Sequence, residues 1–289
     1  MHVTSTGPVD ITGNCPYTGF METIESRGTA LITGASAGIG AVYADRLAKR
    51  GYDLVLVARN RERLTAVADA VRGATGRSVR TLRADLGNAA ELRAVESVLA
   101  TDEALTMLVN NAGTASLAKL LDAGVDQMQE MIELNVTALT RLTYAAAPAF
   151  VKRGAGTIVN VASIVGIAPE RLNGVYGATK AYVLAFTQSL QHELAEKGIR
   201  VQAVLPGATA TGLWEKGGIT YRDLPPEIVM TPEDVVDAAL AGLDRGETVT
   251  IPPLHDGTQW ERFDEMRRAL AGQFGNSLPA PRYGVHAAA

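Results

Sequence analysis

Tyr176 and Lys180, four residues apart in the stretch YGATK, carry side chains that can act together in proton transfer. On a helix, positions four apart share one face, so the phenol and the ammonium point into one site. A fixed positive charge beside a tyrosine lowers its pKa from about 10, which makes a usable acid and base. An accidental YxxxK, in which both residues serve the structure of an amphipathic helix, is the competing interpretation.

Ser163 is a third candidate for the same site. It ends the apolar run TIVNVAS, which is typical of a buried strand, and stands before Tyr176 in the chain. A hydroxyl there lies at the carboxyl edge of the sheet, where ligands of open α/β sheets bind.

The stretch TGASAGIG, residues 33–40, combines three glycines with small residues directly after the apolar run TALI. A bare loop between a strand and a helix lets a pyrophosphate approach the unpaired N–H groups of the helix N-terminus. A nucleotide-hydrolysing P-loop is excluded, because Ala41 and Val42 follow Gly40 where Lys and Ser or Thr are needed. The glycine spacing also differs from GxGxxG, so a small-residue turn at a crowded junction stays an alternative.

Short aliphatic runs alternate along the chain with longer segments of helical spacing, which is typical of βαβ units. Nearly continuous apolar strands are buried on both faces, and long crossovers permit parallel pairing. We therefore predict a single-domain α/β fold, a doubly wound (Rossmann) seven-stranded parallel sheet flanked by helices. Strands are predicted at 29–33, 54–58, 79–83, 107–111, 157–163, 200–206 and 248–252, and helices at 38–50, 60–73, 89–100, 124–152, 175–197 and 232–244.

The chain is expected to consist of an N-terminal extension (1–27), the sheet domain (28–252) and a C-terminal helix and tail on the same domain (253–289). The tail contains an amphipathic stretch formed by Trp260, Phe263, Met266 and Leu270. Packing against the core or another subunit is favoured for this stretch over a role as a substrate lid.

Composition argues against several partners. The net charge of −4 and the pI near 5.7 give no electrostatic reason to expect nucleic acid or an anionic membrane. Cys15 is the only cysteine, so no intrachain disulfide can form. Because the sequence shows neither a signal-peptide pattern nor a spanning run of about 18 apolar residues, we expect a cytoplasmic location. No residues are assigned to a metal.

Seven elements in chain order resemble the short-chain dehydrogenase/reductase family in its ordinary form, from about residue 28 to 252. They are TGASAGIG (33–40), ADL (84–86), NNAG (110–113), Asn135 in LNV, Ser163, YGATK (176–180) and PG (206–207). One such motif is weak evidence, whereas all seven in order are specific.

The resemblance implies NAD(P)-dependent hydride transfer between a carbonyl and an alcohol of a small-molecule substrate. Tyr176 would donate a proton to the developing alkoxide, or accept one in the oxidising direction, while Ser163 holds the carbonyl oxygen. Lys180 would lower the pKa of Tyr176 and bond the nicotinamide ribose. Asn135 would hold a water that connects Lys180 to solvent.

The resemblance also implies four groups of cofactor contacts in addition to Tyr176 and Lys180. They are the pyrophosphate loop (Gly34, Ser36, Gly38, Ile39, Gly40), the adenine site (Asp85, Leu86), the adenine-ribose surface (Asn111, Ala112, Gly113) and the nicotinamide turn (Pro206, Gly207, Thr209, Thr211). A solvated helix N-cap is the alternative for Asp85.

The choice of cofactor depends on Arg59, which ends the second strand where a carboxylate would bond the ribose 2′-hydroxyl of NAD. The planar guanidinium of Arg59 suits a 2′-phosphate instead, so NADP is favoured and NAD remains an alternative. Arg63 is a candidate second contact. Ala37 departs from the basic residue that many NADP-preferring relatives carry before Gly38.

The segment 212–230 is expected to form the substrate loop, with Leu213, Trp214 and Tyr221 as apolar walls. A non-catalytic NADP-binding sensor or scaffold of the same fold is the alternative function. His192 and His255 are assigned to the surface or the structure. By resemblance, we expect a homodimer or homotetramer formed through the helices at 124–152 and 175–197.

Overall fold

Seven parallel strands form the centre of the protein, which a computed structural model describes over residues 26–217 and 219–285. The strands are β1 (Thr29–Thr33), β2 (Asp53–Ala58), β3 (Val79–Arg83), β4 (Leu105–Asn110), β5 (Gly156–Val161), β6 (Ile199–Val204) and β7 (Val249–Thr250). Their order across the sheet is β3-β2-β1-β4-β5-β6-β7. The predicted doubly wound sheet is therefore confirmed. Most of the predicted N-terminal extension lies outside the described residues.

Eight α-helices among the described residues connect or follow these strands. They are α1 (Gly38–Lys49), α2 (Arg61–Thr75), α3 (Ala89–Thr101), α4 (Val125–Ile132), α5 (Leu139–Arg153), α6 (Gly174–Leu194), α7 (Pro232–Asp244) and α8 (Thr258–Ala271). α1 packs against α2 and α7, whereas α3 packs against α5.

Alternate strand residues supply two hydrophobic cores, one on each face of the sheet. Ile32 and Leu56 belong to one cluster, and Leu31 and Val55 belong to the other. Because full burial of one such side chain stabilises the fold by about 1.5–3 kcal/mol, the two cores determine the strand register. The strand order reverses between β1 and β4, which is where ligands bind in sheets of this kind.

The prediction of one continuous helix at 124–152 is wrong, because the structure divides this segment. A π-helical segment, Glu133–Ala138, separates α4 from α5 and contains Asn135. Single π-helical turns occur frequently at functional sites, because the extra residue changes the direction of nearby side chains.

The amphipathic tail stretch forms α8, but most of its apolar side chains do not join the core. Trp260 packs against the cluster that contains Val183 and Val249. By contrast, Phe263, Met266 and Leu270 are 46%, 70% and 57% exposed. Core packing is thus wrong for these three residues, and subunit packing stays a prediction. Among the described helices, none has the length and apolarity that crossing a bilayer requires.

Tyr43 in α1 tests the environment inside the core that contains Ile32 and Leu56. Its side chain is fully buried, and its Oη has no hydrogen-bond partner among the described residues. A buried polar group without a partner costs free energy, so Tyr43→Phe is expected to raise the free energy of unfolding by about 1 kcal/mol. Urea denaturation measures the change.

Tyr43→Ala serves as the control, since it also creates a cavity and is expected to lose about 3–5 kcal/mol. A clear loss of stability in Tyr43→Phe would contradict the environment described for the hydroxyl.

Candidate active site

A cleft of about 1050 Å³ lies at the carboxyl edge of the sheet, between the glycine loop after β1 and the segment after β6. Most of the predicted site residues line it. They are Ser163, Tyr176 and Lys180; Gly34, Ser36, Gly38 and Ile39; Arg59, Asp85 and Leu86; Asn111, Ala112 and Gly113; and Pro206, Gly207, Thr209 and Thr211. Leu213 and Trp214 of the predicted substrate loop line it as well, whereas three predicted residues do not: Gly40, Asn135 and the expected apolar wall Tyr221.

The glycine loop leaves the N-terminus of α1 open toward the cleft. Gly34 and Gly38 have φ angles of +67° and +53°, which L side chains rarely adopt. Ala37 precedes the helix without a capping side chain, and the first turn carries no acidic residue. The free N–H groups and the helix dipole can therefore bind an anion.

Gly40 packs within the loop and does not reach the cleft. A Cβ at this position would lie 2.4 Å from the carbonyl oxygen of Gly34 and 2.5 Å from Nδ2 of Asn111. Gly40 is therefore needed for the close approach of α1 to the loop, and the cofactor contact expected for it stays a prediction.

Thr33 joins the ends of β1 and β4 and has no role in the predicted site. Its Oγ1 accepts hydrogen bonds from the N–H groups of Asn111 and Ala112, each at 3.0 Å. The side chain of Asn111 in turn donates to the carbonyl oxygen of Thr33 at 2.8 Å. This hydroxyl thus stabilises the place beneath the cleft where the strand order reverses between β1 and β4. The position of Thr33 at the end of β1 is the sequence signal that could have identified it.

Ser163, Tyr176 and Lys180 converge from two elements. Ser163 lies just beyond β5, while Tyr176 and Lys180 share a face of the first turns of α6. The Ser163 hydroxyl donates to the carbonyl oxygen of Pro206 at 3.4 Å and lies close enough to the Tyr176 phenol to lower its pKa, and Lys180 Nζ donates to the carbonyl oxygen of Val161 at 2.9 Å. Lys180 Nζ lies 5.9 Å from the centre of the Tyr176 ring. The arrangement can hold a substrate oxygen and transfer a proton to it.

Burial has the largest effect on the pKa values of Tyr176 and Lys180. It raises the pKa of Tyr176 to about 12, against the lowering by the Ser163 hydrogen bond. It lowers the pKa of Lys180 to about 8. The lowered Tyr176 pKa expected from the charge of Lys180 is therefore not found: burial raises the pKa, and the group that lowers it is the Ser163 hydroxyl. Tyr176 is a protonated acid at neutral pH.

Asn135 does not line the cleft, but it holds the segment after β4 that does. Its Oδ1 accepts from the N–H of Thr114 at 2.8 Å, and its Nδ2 donates to the Thr114 carbonyl at 2.9 Å. Nδ2 also lies 3.1 Å from Oγ1 of Thr179, which donates to the carbonyl of Tyr176 at 2.8 Å. Asn135 is therefore a positioning residue here. The water path predicted for it stays a prediction.

The opposite end of the cleft carries exposed charge. Nη1 of Arg59 lies 3.8 Å from Oδ2 of Asp85, and Arg63 lines the same end. The helix N-cap considered for Asp85 is wrong, because Asn88 caps α3. Arg59 can therefore turn toward an anion with little loss, since exposed ion pairs are weak.

The turn after β6 uses its two threonines differently. Thr209 is buried, and its hydroxyl donates to the carbonyl of Gly207 at 3.1 Å. Thr211 approaches the glycine loop, since its methyl would lie 3.0 Å from a Cβ at Gly38. His255 lines the cleft, whereas the exposed His192 is not among its lining residues. Glu227 and Met230 line the cleft from within the predicted substrate segment 212–230, whereas the lining residue Arg171 was missed.

The comparisons with known proteins agree with this geometry. The family model described as short chain dehydrogenase matches residues 28–220. A solved short-chain dehydrogenase from Sphingobium yanoikuyae in complex with NADPH is 49% identical, with a TM-score of 0.86, over 89% of this chain and 100% of that chain.

Two further relatives are similar over most of their length. The bulky-bulky ketone specific alcohol dehydrogenase from Comamonas testosteroni is 43% identical, with a TM-score of 0.82, over 89% of this chain and 98% of that chain. An uncharacterized oxidoreductase from Staphylococcus epidermidis is 31% identical over 77% of this chain and 93% of its own length.

The burial of Lys180 predicts a pH-dependent stability. Folded Lys180 releases its proton near pH 8, against 10.5 for an ordinary lysine. Below pH 8 the folded state carries the full cost of the buried ammonium, and this cost disappears as pH rises from 8 to 10.5. The wild-type protein should therefore gain about 2 kcal/mol relative to Lys180→Met between pH 7 and pH 9.5.

Urea denaturation of the wild type and Lys180→Met at the two pH values measures this gain. Lys197→Met, at an exposed lysine, is the matched control, and the wild type is expected to show no such gain relative to it. Equal pH profiles for wild type and Lys180→Met would show that Lys180 is not desolvated in the folded protein.

Proposed function

The chain belongs to the short-chain dehydrogenase family, and on that basis we propose an NADPH-dependent reductase of ketones that carry two bulky apolar substituents. The observation that carries the proposal is the convergence of Ser163, Tyr176 and Lys180 beside an apolar part of the cleft. An oxidoreductase of this family needs a proton donor and a dinucleotide cradle, and the cleft contains candidates for both.

The glycine loop fits the pyrophosphate of the cofactor. Gly34 and Gly38 keep the approach to the α1 N-terminus free of side chains, and Ser36 lies in the same lining. Arg59 and Arg63 would hold the 2′-phosphate, and no carboxylate ends β2 to repel it. The NADPH complex of the Sphingobium relative supports this choice over NAD.

The residues divide the chemistry among them. When bound, NADPH supplies the hydride that adds to the carbonyl carbon. Ser163 donates a hydrogen bond to the carbonyl oxygen, and Tyr176 transfers its phenolic proton to that oxygen as the alkoxide develops. The Lys180 ammonium then stabilises the phenolate that remains, until a proton from solvent restores the phenol. In the reverse direction Tyr176 accepts the proton.

The apolar lining of the cleft comes from segments that precede α6 and from a segment that follows β6. Leu117 lies between β4 and α4, and Val165 and Leu172 lie between β5 and α6, whereas Trp214, Ile228 and Met230 follow β6. Two sets of apolar side chains suit a ketone with a large group on each side of the carbonyl. The ketone specificity printed for the Comamonas relative supports the same substrate class.

We also propose that the protein is a homo-oligomer. Tyr144 of α5 is 69% exposed, Tyr182 of α6 is 38% exposed, and both rings stack with Phe186. Exposed aromatic side chains on neighbouring helices are typical of subunit interfaces.

Tyr176→Phe tests the proposed chemistry. Removal of the proton donor is expected to lower kcat by about 10²–10⁴-fold while NADPH binding is retained, since the ring itself stays. The oxidation of NADPH with a panel of aryl alkyl ketones, followed at 340 nm, measures turnover, and fluorescence titration measures NADPH binding.

Wild-type rates in Tyr176→Phe would overturn the assignment. A wild-type protein that binds NADPH and turns over no carbonyl compound would instead support the non-catalytic sensor.

Arg59→Asp tests the cofactor choice. The variant loses the charged contact to the 2′-phosphate and gains a carboxylate for the ribose hydroxyls, so the ratio of kcat/KM for NADPH to that for NADH should fall by at least about tenfold. Arg61→Asp is the matched control, because Arg61 begins α2 but does not line the cleft. An unchanged ratio in Arg59→Asp would remove Arg59 from the cofactor site.

A further inference from the structure

Residues 114–118, between β4 and α4, form a wall of the cleft without regular secondary structure. Ala115 and Leu117 line the cleft, and Ala115 also packs against the cluster that contains Tyr176. An irregular segment keeps its place only through specific contacts, because no backbone ladder holds it. The contacts of this segment therefore determine the width of the substrate site.

The first end of the segment is fixed by Asn135, which bonds both backbone groups of Thr114. In the middle, Ser116 is 2% exposed and accepts from the N–H of Ala118. This local bond shapes the turn but does not attach it to another element.

The second end is fixed by Asn173, the residue before α6. Its Nδ2 donates to the carbonyl of Ala118 at 2.5 Å. Its Oδ1 accepts from the N–H groups of Val175 and Tyr176, at 2.9 Å and 3.1 Å, and caps the helix. The residue is 6% exposed and does not line the cleft.

The two functions of this amide are separable. Ser and Asp cap helices about as well as Asn, so the cap needs only the oxygen of Asn173. The nitrogen is needed only to hold Ala118. One planar group therefore connects the wall of the cleft to the backbone of Tyr176, the proposed proton donor.

We propose that Asn173 is a positioning residue that determines which ketones the site accepts, by holding the wall formed by Ala115 and Leu117 at a constant distance from Tyr176. This inference rests on the proposed function. Asn173 touches neither substrate nor cofactor, and it acts through the carbonyl of Ala118 and the N-terminus of α6.

Asn173→Ser tests the role, because it keeps a capping oxygen and removes the amide Nδ2 that donates to the carbonyl of Ala118. The probes are acetophenone and butyrophenone, which differ only in the alkyl group beside the carbonyl. With the wall released, the ratio of kcat/KM for butyrophenone to that for acetophenone should change by at least about fivefold, mainly through KM. The dissociation constant of NADPH should stay the same.

Asn88→Ser is the matched control, since Asn88 caps α3 with the same type of bonds, is exposed and lies outside the cleft lining. It should leave the ketone ratio unchanged. If Asn173→Ser does not fold, Asn173→Asp retains the cap and places a carboxylate against the Ala118 carbonyl, and it should change the ratio in the same direction.

A variant at position 173 that lowers kcat/KM for both ketones by the same factor, or that changes kcat/KM for neither, overturns the role of Asn173 in specificity. In either case the proposed function stands if the wild type reduces butyrophenone, the bulkier ketone, with NADPH. A wild type that does not reduce butyrophenone overturns the proposed function, and the role of Asn173 with it.

Discussion

The phenol of Tyr176 must be withdrawn from water and still present its oxygen to the cleft, and the surrounding structure meets this requirement through fixed polar contacts. Asn173 accepts from the backbone N–H of Tyr176, Thr179 donates to its carbonyl, and Ser163 lies beside its hydroxyl. Lys180 is anchored to β5 through Val161. The position of Tyr176, the proposed proton donor, is thus set by both the sheet edge and the helix N-terminus, so it depends on the whole βαβ arrangement.

The two ends of the cleft present opposite environments. Arg59 and Asp85 are an exposed, weakly associated pair at one end, whereas Leu172, Trp214 and Met230 provide apolar surface at the other. A long ligand with a charged end and an uncharged end can be oriented by this difference alone. The glycine loop between the two ends then needs to recognise only the middle of the ligand.

Local spacing was enough to predict the sheet and the meeting of Ser163, Tyr176 and Lys180, since strand ends and helix turns place side chains by simple periodicity. Burial could not be predicted in the same way, so the direction of the Tyr176 pKa was wrong. Asn173 was missed because its partner Ala118 is distant in sequence and no pattern connects them. The apolar face of α8 was predicted to pack against the core or another subunit, and periodicity alone does not show which of the two a helix face contacts.

Gly40 and Arg59 concern two different properties of the proposed cofactor site, namely the shape of the glycine loop and the choice between the two dinucleotides. Gly40 supports the loop from behind without lining the cleft, and its place is set by the backbone of Gly34. Arg59 belongs to a different strand end and is more than half exposed. In the proposed cofactor site, binding of the dinucleotide and discrimination between its two forms therefore depend on separate residues: the exposed Arg59 can be replaced without disturbing the loop, whereas Gly40 tolerates almost no substitution.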